Sequence, residues 1–160
     1  MRLMIAAVGR LKDGPDRELC DRYIERLAGM GRALAILAEK PIEIAEGRAA
    51  VSDARRADEA ARLLEAARSC EVMVAVDARG KAMSSEMLAC FVREQRDAGT
   101  KGLAFLIGGP DGHGDAARSQ ARLVLSLGPM TLPHGLARIV LAEQLYRAAT
   151  IIAGHPYPRA

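Results

Sequence analysis

The 160-residue sequence has few aromatic residues, which make up 3% of the chain, and it has no Trp. This scarcity argues against a module that stacks single-stranded bases on aromatic side chains, and against an aromatic-rich β-sandwich. No stretch approaches the roughly 18 consecutive apolar residues that indicate a membrane-spanning helix. The apolar run at residues 1–9 is too short for a signal peptide and has no cleavage site after it. We therefore expect a cytoplasmic protein without membrane contact.

Cysteines are also few, and the net charge is small. The three cysteines are widely spaced and form no Cys-x-x-Cys or Cys/His pattern, which excludes zinc ribbons and redox motifs and predicts no metal site. Free, mostly buried thiols in a reducing compartment are expected. The formal net charge of +3 permits a nucleic-acid partner without requiring one. The length suits one domain spanning residues 1–160.

Apolar runs of strand length alternate with helical patterns along the chain. We predict strands at 3–8, 72–77, 103–107 and 123–127, with a further run at 33–44 that Pro41 interrupts. Helices are predicted at 16–30, 52–68, 115–121 and 136–152, and a further one begins after Ser84. In the first, Leu19, Tyr23, Leu27 and Met30 share a face. Ser52 and Ser84 are the predicted N-caps of their helices. The alternation predicts an α/β fold with a parallel sheet. Ligands in such folds bind beyond the carboxyl ends of the strands, which directs attention to Asp77, residues 108–109 and residues 127–132.

Two segments at those strand ends could contact a ligand. Residues 108–114 read GGPDGHG, whose glycines allow close backbone approach, although the segment matches neither a dinucleotide nor a triphosphate fingerprint. It could equally be a tight turn, with His113 exposed to solvent. Residues 126–135 are uncharged apart from His134 and could present backbone groups to a polar ring such as adenine, or form a plain loop.

The end of the chain carries a third group of polar side chains. Glu143 and Arg147 are spaced i,i+4 and could form only a surface salt bridge. Tyr146, on an apolar face, is expected in the core. The tail mixes His155, Tyr157 and Arg159 with prolines, which suits RNA contacts or a frayed end.

Taken together, the motifs resemble those of a known family. The run LxFLIGGPDG, then LSLGPMTLPHxLxRIVLAEQLYRA, then the HPY tail is similar to the RlmH family, and the likeness extends back to the MRLxIxAVGRLK start. These are small SPOUT-class methyltransferases that methylate N3 of a pseudouridine, position 1915, in 23S ribosomal RNA. The combination of motifs is far more specific than any one of them.

The resemblance implies a SPOUT-type parallel-sheet domain with a C-terminal deep trefoil knot, although knots are rare in proteins. It implies S-adenosyl-L-methionine as cofactor, held in a bent shape mainly by backbone contacts. Matched position by position, the cofactor-binding residues are Val76, Gly108, Leu127, Gly128, Pro129, Met130, Thr131 and Leu132. The family often carries bulkier residues at Val76 and Gly128; binding should survive because backbone atoms make most contacts.

The reaction requires a cation near the imide nitrogen of the target base, because a cation favours the deprotonated imide. Arg147 is predicted in that role, His155 and His134 are the alternatives for proton handling, and Tyr157 could stack on the base. Arg10, Lys12, Arg138 and Arg159 are predicted to bind RNA. The tail reads HPYPRA where the family usually has an ending like HPYHRE, which removes one His and the last acidic residue from consideration.

Members of this family form homodimers that build each active site from both protomers and act on the assembled ribosome, so both properties are expected here, and DNA is not an expected partner. The last helix fits a dimer because its apolar residues lie on more than one face; they are Ile139, Val140, Leu141, Ile151 and Ile152. Two other functions stay open: methylation of another RNA nucleotide, and a non-catalytic ribosome-associated ligand-binding protein.

Overall fold

A computed structural model describes residues 1–157 and shows one sheet of six strands in which every neighbouring pair is parallel. The strands are β1 Arg2–Val8, β2 Leu37–Ala38, β3 Ile42–Ile44, β4 Val72–Ala82, β5 Gly102–Ile107 and β6 Leu123–Ser126. Their order is β2-β1-β5-β4-β6, and β3 extends the pairing of β1 past β2. The predicted α/β parallel sheet is confirmed; the trefoil knot stays a prediction.

Helices cover both faces of the sheet. They are α1 Pro15–Gly31, α2 Ser52–Ala66, α3 Ser85–Asp97, α4 Asp115–Gln120 and α5 His134–Ile152, with a short 3₁₀ helix at Arg32–Leu34. Alternate residues of β1 separate the two layers of core. Leu3 and Ile5 pack toward α1, α3 and α5, whereas Met4 and Ala6 pack toward α2. This period of two follows from the alternating side-chain directions of a strand.

Several predicted boundaries needed correction. In the run at 33–44, the predicted break at Pro41 is confirmed, since Pro41 separates β2 from β3, but the strands are shorter than the run because Ala35 takes a left-handed conformation with φ 55°. Proline lacks the N–H that a continuous ladder needs, which explains the break. β4 runs five residues past the predicted end, and its pairing with β6 shifts between Val76 and Lys81. The intervening residues leave the ladder beside the cavity described below.

The helix predictions were right in position and partly wrong in detail. In α1 the buried face is centred on Cys20, Ile24 and Leu27, and Leu19 is exposed. The Ser84 side chain accepts a hydrogen bond from the Met87 N–H, so it caps α3 as predicted. Ser52 forms no such cap, because α2 already begins there. Within residues 1–157, every helix is too short or too polar to cross a bilayer.

Candidate functional site

A cavity of about 310 Å³ opens beside residues 76–79 of β4 and the carboxyl ends of β5 and β6, on the side where parallel α/β sheets place their ligands. Its walls are the ends of three loops and the start of α5. Seven of the eight predicted cofactor-binding residues line it: Val76, Gly108, Leu127, Gly128, Met130, Thr131 and Leu132. The eighth, Pro129, is exposed in the same loop but does not line the cavity.

The glycine-rich segment at 108–114 forms a tight turn at the cavity wall. The Gly112 N–H donates to the Gly109 carbonyl at 2.9 Å, and Gly112 has a φ of +81°, which favours glycine. A Cβ on Gly108 would lie 2.8 Å from the Gly112 carbonyl carbon. The turn therefore leaves backbone without side chains facing the cavity. The tight turn, one of the two alternatives from the sequence, is confirmed; contact of this segment with a ligand stays a prediction.

Helix α2 supports this turn from behind. Arg55 forms an ion pair with Asp111 at 2.6 Å and donates to the Ala49 carbonyl at 2.9 Å. The buried Glu59 accepts a hydrogen bond from the Gly47 N–H at 2.8 Å. A Cβ on Gly109 would lie 2.6 Å from the other carboxylate oxygen of Glu59, so only glycine fits between α2 and the turn.

The loop at 127–132 forms the opposite wall. The Ser126 hydroxyl accepts from the Gly128 N–H at 3.2 Å and lies 3.1 Å from the Gly128 carbonyl. Gly128 has a φ of +130°, a backbone conformation that residues other than glycine rarely adopt. Met130 has 77% of its surface exposed. This wall presents backbone and apolar atoms, as the uncharged sequence predicts.

The prediction of a solvent-exposed His113 was wrong. The ring is buried, and its Nε2 lies 3.1 Å from the Val76 carbonyl oxygen and 3.0 Å from that of Leu106. The Gly108 backbone nitrogen lies 3.2 Å from the same ring nitrogen. Burial lowers the pKa of His113, so the ring is neutral at neutral pH. The flanking glycines predict an open loop, and nothing in the local sequence indicates that the ring packs beneath the turn at 108–112.

Asp77 lies at the cavity edge, as the strand-end argument predicts. A bidentate contact with Arg79 lowers the pKa of Asp77 to about 2, and Arg118 lies 3.6 Å from the same carboxylate. Arg118 also donates to the His113 carbonyl at 3.1 Å, so it links α4, the turn and β4. Sequence reasoning missed Arg79 and Arg118, because a lone arginine in an arginine-rich chain carries no local signal.

Arg138 does not face RNA, which corrects the sequence prediction. Its side chain is 1% exposed and forms an ion pair with Glu43 at 2.5 Å. It also donates to the Val8 and Gly9 carbonyls, at 3.3 and 3.0 Å. Glu43 further accepts from Arg17 and from the Leu11 N–H. The guanidinium thus joins α5 to β1 and β3, and tertiary packing rather than the helix pattern buries it.

The four predicted catalytic residues do not meet within one chain. His134 lines the cavity, with its Nδ1 3.4 Å from the Val8 carbonyl. Arg147 is 13 positions further along α5, about 20 Å away at 1.5 Å per residue. There it pairs with Glu143 at 2.6 Å, and its guanidinium lies 5.8 Å from the ring centroid of Tyr157. His155 is exposed near that same end of the helix.

Two predicted RNA contacts lie near the cavity. The Arg10 side chain is 89% exposed, and Lys12 is also exposed. They follow Gly9, whose Cβ, if present, would lie 2.6 Å from the His134 ring. Arg159, the remaining prediction, lies outside the described residues. Tyr146 is buried in the core, as expected, and packs against Tyr157 with ring centroids 4.8 Å apart.

Comparisons with known proteins agree with this architecture. Residues 1–158 match the family described as "Predicted SPOUT methyltransferase". "Ribosomal RNA large subunit methyltransferase H" of Brucella anthropi is 48% identical over 159 residues, covering 99% of each chain. The protein of that name from Mesorhizobium japonicum is 48% identical over 160 residues, covering all of both chains.

A solved structure described as "Crystal structure of an hypothetical protein" shares the fold. Its TM-score is 0.53 at 15% identity, and the match covers 94% of this chain and 81% of that one. The sequence matches extend over nearly the whole chain and include the loops that form the cavity. The chain belongs to the SPOUT methyltransferases, in the family of the ribosomal RNA large subunit methyltransferase H proteins.

Proposed function

We propose that this enzyme transfers a methyl group from S-adenosyl-L-methionine to N3 of pseudouridine 1915 in 23S ribosomal RNA. The observation that carries the proposal is the cavity at the strand ends, built by the residues that match the family's motifs. The names of the relatives, which specify large-subunit ribosomal RNA, support the substrate class. This substrate implies a cytoplasmic location.

The cavity suits the proposed cofactor. Its volume of about 310 Å³ lies at the lower end of the range for small-molecule sites. Val76, Leu127 and Leu132 supply apolar surface, while the bare backbone at Gly108 and Gly128 can hydrogen-bond to a polar ring. A neutral His113 adds no charge beside a cationic sulfonium. When bound, the cofactor supplies an activated methyl group.

The acceptor nitrogen must lose its proton, and the chain offers two groups of side chains for this step. His134 is at the cavity wall, whereas Arg147, His155 and Tyr157 lie about 20 Å away at the far end of α5. That separation is too great for one chain to use both groups on the same base. We therefore propose that Arg147 and the tail of one protomer complete the cavity of its partner.

A homodimer also accounts for apolar surface that the single chain leaves exposed. Leu136 and Ile151 on α5 are 44% and 36% exposed, and Met87 on α3 is 42% exposed. Residues of α5 additionally line a groove with Met83 and Leu127. Nine of the 19 residues of α5 are already buried within the chain, so the helix packs on more than one side. Sedimentation at micromolar concentration should show a dimer; a monomer would contradict this part of the proposal.

The RNA contacts in the proposal are Arg10 and Lys12, beside His134 at the cavity rim, together with Arg159 in the tail. A net charge of +3 per chain, doubled in a dimer, is small for a protein that binds RNA by charge alone. It fits docking on a preformed surface, so we propose the assembled ribosome as substrate. Arg10→Ala should raise the KM for ribosomes while leaving cofactor affinity unchanged.

Mass spectrometry of 23S ribosomal RNA tests the substrate directly. Deleting the gene should remove the N3-methyl group from pseudouridine 1915, and the intact gene should restore it. Loss of a methyl group elsewhere would indicate another RNA nucleotide as target. An unchanged methylation pattern, with cofactor binding retained, would point to the non-catalytic ligand-binding protein.

Mixed dimers test the shared active site. Gly108→Val should disrupt the turn that forms one protomer's cavity wall, because its Cβ would lie 2.8 Å from the Gly112 carbonyl carbon, and Arg147→Ala should disable the far end of α5. Each variant alone should be inactive. In a mixed dimer, the unmodified cavity of one chain meets the unmodified Arg147 of the other. Half of the dimers are mixed, and each mixed dimer holds one intact site of two. About a quarter of wild-type activity should therefore return. No recovery would place each active site within one chain.

A further inference from the structure

His113 lies under the wall of the cavity, where its ring contacts the backbone of two neighbouring strands, β4 and β5. Nε2 is 3.1 Å from the Val76 carbonyl oxygen on β4 and 3.0 Å from the Leu106 carbonyl oxygen on β5. The Gly108 N–H is 3.2 Å from the same nitrogen. Val76 and Gly108 both line the cavity, so one side chain touches the backbone of two of its walls.

The position of the single proton on the neutral ring decides which of these contacts are hydrogen bonds. With the proton on Nε2, the ring donates to the Val76 and Leu106 carbonyls, Nδ1 is an unpaired acceptor, and the Gly108 N–H has no acceptor at Nε2. With the proton on Nδ1, a buried N–H is left without a partner in residues 1–157, and the Nε2 lone pair faces two carbonyl oxygens. The second tautomer accepts a hydrogen bond from the Gly108 N–H, but the first donates to two carbonyls. Because the second also has an unpaired buried donor and lone-pair repulsion, the first tautomer is favoured.

The surroundings hold the imidazole in this position from both sides. Arg118 donates to the His113 carbonyl at 3.1 Å and lies 3.6 Å from Asp77 on β4. A Cβ on Gly108 would lie 3.0 Å from the His113 N atom, so the chain closes tightly over the ring. Shifting the ring would therefore move either the Val76 carbonyl or the turn at 108–112.

We propose that His113 is a positioning residue of the cofactor cavity, whose Nε2–H holds the Val76 carbonyl of β4 beside the Leu106 carbonyl of β5, two residues before Gly108. This inference rests on the proposed function for the identity of the ligand. The residue does not touch the reacting atoms, and its effect is on cofactor binding through the backbone that it holds. Gly108 and Val76 supply the contacts; His113 holds β4 beside β5 beneath them.

Two substitutions separate the hydrogen bond from the packing. His113→Leu fills the space with an apolar side chain of similar size but removes the hydrogen-bond donor. Because the donor is lost, S-adenosylmethionine binding measured by calorimetry should weaken roughly tenfold. His113→Gln places an amide N–H near the position of Nε2 and should bind within about twofold of wild type. The kcat at saturating cofactor and the KM for ribosomes should be nearly unchanged in both. A leucine variant that binds as tightly as wild type would overturn the proposal.

Nitrogen NMR of the wild-type protein tests the tautomer without any substitution or cofactor. The His113 signals, assigned by their absence in His113→Gln, should show a protonated Nε2 and an unprotonated Nδ1. The opposite tautomer would overturn the proposal even if His113→Leu failed to fold. Should the wild type not bind S-adenosylmethionine, the proposed function fails; the NMR result still decides whether the His113 Nε2–H links β4 to β5.

Discussion

Glu43 should be among the least replaceable polar residues outside the cavity, because it neutralises a buried arginine. Its carboxylate pairs with Arg138 at 2.5 Å and with Arg17 at 2.9 Å. Arg138 is 1% exposed, so the loss of Glu43 would leave that guanidinium inside the protein with only two carbonyl partners. The change to test is Glu43→Gln, which keeps the volume and one hydrogen-bond acceptor.

Removing one partner of a buried ion pair typically costs about 3–5 kcal/mol. The carbonyls that contact Arg138 remain, and the Glu43 side chain is 15% exposed, so the lower end of that range applies. A loss of about 3 kcal/mol should lower the melting temperature by roughly 6–12 °C for a chain of this size. Urea unfolding at pH 7 measures the free energy, and calorimetry measures the melting temperature.

The matched control is Glu39→Gln, because Glu39 pairs with Arg2 at 3.7 Å with side chains 30% and 40% exposed. An exposed pair is worth about 0–1 kcal/mol, so this variant should unfold almost as the wild type does. If Glu43→Gln were no more destabilising than Glu39→Gln, the buried guanidinium would not need its partner and the reasoning would be refuted.

The pH dependence gives a second check on Glu43. Burial alone would raise its pKa, but the Leu11 N–H, Arg17 and Arg138 lower it overall. A carboxylate with a lowered pKa adds stability above its unfolded pKa, and that stability is lost as the pH falls through the folded value. The difference between wild type and Glu43→Gln should therefore shrink in acid. A difference that widened in acid would contradict the assigned direction.

Three other predictions, two of them with a control substitution, test the loops and caps. Asp77→Asn should cost about 1–2 kcal/mol in urea unfolding at pH 7, and because the pKa of Asp77 is about 2, that cost should fall by about half at pH 3; an equal cost at both pH values would disprove it. Gly109→Ala should lower the free energy of unfolding by about 1–3 kcal/mol, because its Cβ would lie 2.6 Å from a buried carboxylate oxygen. Gly29→Ala, in open space on a helix, should raise it by about 0.5–1 kcal/mol; thermal melts measure both. Ser84→Ala removes the cap of α3 and should lower the free energy of unfolding by about 1 kcal/mol. Ser52 forms no cap, so Ser52→Ala should change that free energy very little; equal losses in the two variants would reject the capping assignment.

The sequence determined the order of elements and the end of the sheet where the site lies. Alternating runs predicted the parallel sheet, because buried strands and amphipathic helices leave distinct periodicities in the chain. The glycines at 108–114 and the uncharged loop at 127–132 marked the cavity walls, since backbone approach requires such residues. The motif resemblance indicated the family, which the comparisons then confirmed.

Only the tertiary structure decided how side chains far apart in sequence meet. The helix pattern predicts Arg138 as an exposed cation, but its side chain is buried and pairs with Glu43, 95 residues earlier in the sequence. His113 sits between glycines that suggest an open loop, and the carbonyls of Val76 and Leu106 hold it inside. Periodicity records whether a face is buried, whereas charge pairing and backbone hydrogen bonds depend on distances that the folded chain alone sets.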